Sequence, residues 1–71
     1  MTEYLVVLFP QRRRVLLNGA PRGYTNELLE LEGRKYLVSL EPPADFSPSE
    51  QEIDLLNTSA MEPREVKFEE A

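Results

Sequence analysis

The sequence predicts an all-β fold, a small antiparallel β-sandwich of about six strands. Three observations predict it. Apolar and polar side chains alternate at every second position over several short segments, the period of a half-buried strand. Six prolines and three glycines cut the 71 residues into such segments, leaving little uninterrupted length for helix. Asn18-Gly19 is a strong tight-turn signal. The length suits one domain over residues 1–69, with residues 70–71 expected to fray as a tail. A chain this short buries only about 60% of its unfolded surface, so its core must be efficient.

Residues 3–9 form an apolar, β-branched run closed by Pro10, which reads as a buried strand. Val15 and Leu17 alternate with Arg14 and Leu16 in a second short strand. Asn18-Gly19 then turns the chain, and Ala20-Pro21-Arg22-Gly23 extends the loop. Residues 27–31 read as a third strand, with Leu29 and Leu31 pointing one way before a turn at Glu32-Gly33. Residues 34–41 alternate most cleanly, with Tyr36, Val38 and Leu40 on one face, until Pro42-Pro43 ends the ladder. Residues 64–68 give the last strand, with Val66 and Phe68 inward.

Residues 48–57 support two readings. Ser47-Pro48-Ser49-Glu50 has the form of a capping box with proline at the first helical position, and Ile53 and Leu56 lie three apart, as in a short helix. Ile53 and Leu55 also alternate with Glu52, Asp54 and Leu56, as in a strand.

From Pro10 to Thr25 the chain resembles the PEGA domain, a small bacterial β-sandwich module. Pro10, Val15, Leu17, Asn18, Gly19, Gly23 and Thr25 carry the resemblance, and Leu29, Leu31, Gly33, Tyr36 and Val38 resemble the family's next hairpin, with Asp45-Phe46 echoing its closing element. Gln11-Arg12-Arg13 replaces the Glu-Gly-Ala that names the family, and Asn26 replaces the proline after threonine. The resemblance implies a sandwich and a binding or surface-associated role. It favours the strand reading of residues 48–57 and carries over no site.

Cysteine and histidine are both absent, which removes disulfides, thiolate ligands and the commonest general base. No cofactor or metal is expected. Ser39, Ser47, Ser49 and Ser59 have no partner to activate them. The pairs Glu30/Glu32, Glu50/Glu52/Asp54 and Glu69/Glu70 would share one wet environment rather than the two that acid–base work requires. Enzymatic activity is not expected. A net charge of −5, from 8 basic and 13 acidic residues, disfavours nucleic-acid binding. No targeting segment is evident, since residues 4–9 are too short for a span and follow Glu3; the expected location is the cytoplasm, without membrane insertion.

Charge is divided. Residues 1–35 hold six basic and four acidic groups, while residues 36–71 hold two and nine. Arg12, Arg13 and Arg14 form the most conspicuous cluster, with Arg12 and Arg14 sharing one face of a strand and Arg13 the other. Arg22 and Tyr24 have the composition of a contact point at one end of the fold. The expected function is a non-enzymatic binding or assembly module, joining an unknown protein or a second copy of itself through exposed strand edges at residues 12–17 and 64–68. The alternative is an anionic ligand held by Arg12–Arg14, a nucleotide or a cyclic dinucleotide. For the latter, Asn57 and Ser59 partly resemble a PilZ element, with Glu62 where that family has glycine.

Overall fold

The computed structural model describes residues 1–71 and holds strands and no helix. In order these are β1 (Thr2–Leu8), β2 (Arg14–Leu17), β3 (Ala20–Tyr24), β4 (Leu28–Glu32), β5 (Lys35–Leu40), β6 (Phe46–Ser47), β7 (Gln51–Asp54), β8 (Arg64–Lys67) and β9 (Glu69–Glu70). They build a three-stranded sheet β4-β1-β8, a four-stranded sheet β3-β2-β5-β7 and a two-stranded β6-β9 ribbon. Leu5, Val7, Leu31 and Val66 of the first sheet share one core with Val15, Leu17, Tyr36, Val38, Leu40 and Ile53 of the second. Phe9, Leu55 and Phe68 join it from just beyond strand ends. No helix is long and apolar enough to cross a membrane.

Local chemistry explains the hairpins. Asn18 (φ 52) and Gly19 (φ 83) both take positive φ, the demand of the two-residue turn that best matches strand twist. The Asn18 N–H donates to the Leu37 carbonyl and its Oδ1 accepts the Leu37 N–H, each at 2.9 Å, stitching the turn to β5. Gly23 (φ 71) sits where β3 comes against β4, and a side chain there would run into Leu29.

Several expectations need correction. There are nine strands where about six were expected, because residues 20–24 pair with β2 as β3 instead of looping out, and residues 46–47 pair with residues 69–70 as β6 and β9. Residues 48–57 contain strand β7 and no helix. Their alternation buries Ile53 and Leu55 and exposes Glu52 and Asp54, so tertiary burial overrides the capping signal. The tail expected to fray is paired: Glu70 opposes Phe46, Glu69 opposes Ser47, and the Ala71 N–H donates to the Asp45 carbonyl at 3.0 Å. Residues 12–17 do not form an edge, since β2 lies between β3 and β5; β8 is an edge as anticipated.

Nor is the sandwich purely antiparallel. β1 pairs antiparallel with β4 (Leu5 opposite Leu29) and parallel with β8 (Val7 opposite Val66). The segment between β7 and β8 carries the chain from one sheet to the other, so β8 enters alongside β1 in the same direction. Before Leu5, where β8 has not begun, Thr58 takes over the neighbour's role. Its Oγ1 accepts the Tyr4 N–H at 2.7 Å and donates to Glu3 Oε1 at 2.5 Å, while its own N–H donates to the same oxygen at 2.8 Å. Glu3 is thereby buried facing the core, and the Thr58 hydroxyl and N–H hold its carboxyl below the ordinary carboxylate range.

β1 also departs from the buried strand expected of it. Glu3, Leu5, Val7 and Phe9 face inward, but Tyr4, Val6 and Leu8 lie half-buried on the outer face.

Candidate functional site

Only Arg14 lies in a strand; Arg12 and Arg13 precede β2, and the three side chains divide by what they touch. Arg13 turns toward the 41–45 loop. Its two terminal nitrogens grip Asp45 bidentately at 3.0 and 3.1 Å, and one also donates to the carbonyls of Glu41 and Pro43 at 3.0 Å. The side chain is only 12% exposed and lies 5.4 Å from the Phe9 ring centroid. The Arg13 hydrogen bonds hold the Asp45 carboxyl below the ordinary carboxylate range. This guanidinium is committed to holding a loop.

Arg12 and Arg14 share Tyr24 instead. The Arg12 guanidinium lies 3.9 Å and that of Arg14 4.6 Å from the ring centroid, and Arg14 donates to the Tyr24 hydroxyl at 2.6 Å. Arg12 also meets Glu27 at 3.4 Å, an exposed pair that adds little. Tyr24 is half-buried by this arrangement. The three arginines therefore do not converge on one point. Arg22 stands apart on β3.

Two residues fix the chain behind the cluster. Thr25 is 1% exposed; its hydroxyl donates to the Gln11 carbonyl at 2.7 Å and accepts the Arg13 N–H at 2.8 Å, fixing the chain on either side of Arg12. Asn26, at φ 64, completes an amide pairing with Phe9: Nδ2 donates to the Phe9 carbonyl at 2.8 Å and Oδ1 accepts the Phe9 N–H at 3.2 Å. Its own N–H donates to the Val7 carbonyl at 2.7 Å. Asn tolerates the left-handed region, which makes it a natural occupant of the position. Asp45 anchors Arg13, and no spacing in the sequence links the two.

The surfaces left over are three. A groove of about 300 Å³ opens between β3 and the end of β4, floored by Leu17 and Tyr36 and flanked by Arg22, Glu32 and Arg34. A hollow of about 460 Å³ at the end of the β1–β8 pair is walled by Leu8, Phe9, Phe68, Lys67 and Glu70. The outer face of the β4-β1-β8 sheet carries Tyr4, Val6 and Leu8 in its central strand, with Leu28, 47% exposed, opposite Val6. Glu30, Glu32, Glu65 and Lys67 rim that face from the two side strands.

Strand edges are less open than the sequence suggested. Gln51 of β7 donates across the seam to the Lys67 carbonyl of β8 at 2.8 Å, tying two edges together. β3 carries Pro21, which has no N–H to offer, and an irregularity in its register between Arg14 and Leu16. No group of three or more acidic side chains is placed to hold a metal ion. No protein-family model matches the chain, and neither curated proteins nor solved structures show a significant match to it.

Proposed function

We propose that this chain is a non-enzymatic binding and assembly module that takes a protein partner on the outer face of the β4-β1-β8 sheet. One observation carries the reading: β1 is apolar on both faces although only one of them faces the core. A sheet with one wet face alternates apolar and polar residues, whereas a near-continuous apolar run belongs to a strand covered twice. Half-buried Tyr4, Val6 and Leu8 and exposed Leu28 make up the side turned away from the core. The acidic rim gives the face polarity without an affinity for polyanions.

This moves the docking surface from the strand edges to a sheet face, because the β7–β8 seam is bridged and β3 is blunted by proline. The reading of Arg12–Arg14 as an anion clamp has less support, since Arg13 is committed to Asp45 and Arg14 to Tyr24. A kinship with PEGA-like modules remains part of the proposal, supported by the positive φ of Gly19 and Gly23 and the loop bonds of Thr25.

Hydroxyl-radical footprinting tests the surface whatever the partner is. In the chain's own cell lysate, Tyr4, Leu8 and Leu28 should be protected relative to the dilute purified protein. Protection confined to the Arg22–Arg34 groove, or none anywhere, would overturn the assignment.

A further inference from the structure

We infer that the groove between β3 and the end of β4 is a binding site for a small monocarboxylate with an apolar body, a free organic acid of one negative charge. The site is separate from the docking face proposed above, which is the outside of one sheet; the groove enters between the two sheets. β3 and β4 are edge strands of different sheets. The seam between them is shut where Gly23 lies against the Leu29 side chain. Toward Ala20 and Pro21, whose side chains are small, the sheets part and leave a hollow of about 300 Å³. Its floor is made by Leu17 and Tyr36, both core residues. The Tyr36 hydroxyl donates to the Glu32 carbonyl at 2.8 Å, so the ring presents the hollow with an apolar surface and no spare donor.

The charged groups around this floor decide the ligand. Arg12, Arg13 and Arg14 each have an acceptor within the chain. Arg22 and Arg34 have none: neither joins an ion pair or donates a side-chain hydrogen bond. Arg34 is placed by the ring below it, with its guanidinium 5.3 Å from the Tyr36 centroid. Glu32 is the one acidic side chain lining the groove, and it pairs with neither arginine. The lining therefore holds two cations to one anion, in a chain whose net charge is −5. A guanidinium is a planar fork that matches a carboxylate, and such donors beside an apolar floor suit a ligand with an anionic head and an apolar body. Glu32 limits the head to one charge. A bound carboxylate balances the lining, whereas a phosphate monoester, at about −1.5 to −2 near pH 7, brings further negative charge against Glu32.

Proton–nitrogen NMR of the full chain, titrated with phenylpropionate, phenyl phosphate and phenethylamine, tests the site. Phenylpropionate should give saturable shifts at Leu17, Tyr36 and the Arg22 and Arg34 side chains. Phenyl phosphate should bind several-fold more weakly, and phenethylamine should not bind. Arg22→Gln with Arg34→Gln should weaken phenylpropionate about tenfold or more, the loss expected on removing hydrogen bonds to a charged group. Glu32→Gln should tighten phenyl phosphate more than phenylpropionate. All three side chains are exposed, and dispersed spectra check that the variants fold. If the double variant unfolds, the two single variants stand in for it, each with weakened binding. The site would be overturned by the absence of saturable shifts in the groove, or by glutamine variants that bind as wild type does. Phenethylamine or phenyl phosphate binding as tightly as phenylpropionate would equally overturn it.

Discussion

Thr25 shows how one hydroxyl can fix the geometry of a neighbouring cluster. It is fully buried and uses both its donor and its acceptor on residues 11–13. Thr25→Val keeps the shape and leaves the Gln11 carbonyl and the Arg13 N–H unpaired, so urea denaturation should show a loss of about 2–3 kcal/mol. The arginines separate by the same logic. Arg13→Lys loses a bidentate carboxylate and two carbonyl acceptors that an ammonium cannot match. Arg12→Lys loses only an exposed pair and a ring contact. Thermal unfolding should therefore fall more for Arg13→Lys than for Arg12→Lys. Sequence reading grouped Arg12 with Arg14 and set Arg13 apart, and the side-chain contacts divide the same way although only Arg14 lies in a strand. It did not reach Asp45 or Asn26, whose partners lie 32 and 17 residues away and are set by tertiary packing.

Among the elements, β1 depends on a distant loop. Thr58 completes its pairing before β8 begins, and Glu3 is held charged by that residue. A carboxylate whose folded pKa is depressed contributes stability that is fully present above its unfolded value of about 4 and is lost as pH falls through the folded value. Asp45 acts in the same direction through Arg13. Acid titration of unfolding stability should therefore show a decline beginning near pH 4, and Glu3→Gln should flatten part of it while lowering stability at neutral pH. The Asn18-Gly19 turn and the alternating strand at residues 35–40 were legible, since each is written within a few adjacent positions. β3 was not, because Pro21 and Gly23 speak for a loop and only pairing with β2 makes a strand of them. The β6–β9 ribbon was not either: two residues per strand carry no period, and Phe46 is placed by edge contacts with Phe9 and Phe68 at 6.4 and 5.8 Å.

For the whole molecule, the apolar run at residues 3–9 was correctly read as a strand and incorrectly as a buried one. A single sequence states how greasy a strand is, and the number of layers around it decides how much of that is covered. Here two sheets make one interior, so β1 keeps an apolar side turned away from it. The function proposed above rests on that surplus.

Adjacent valines give the most direct test. Val6 points outward and Val7, with no exposed surface, points into the core. Val7→Lys buries an unpaired charge and should cost several kcal/mol, enough to unfold so small a domain. Val6→Lys should remain folded within about 1 kcal/mol of wild type, the span of strand propensities, while losing protection of the outer face in lysate. If Val6→Lys unfolds as Val7→Lys does, the outer row belongs to the packing of the fold and is not a free docking surface.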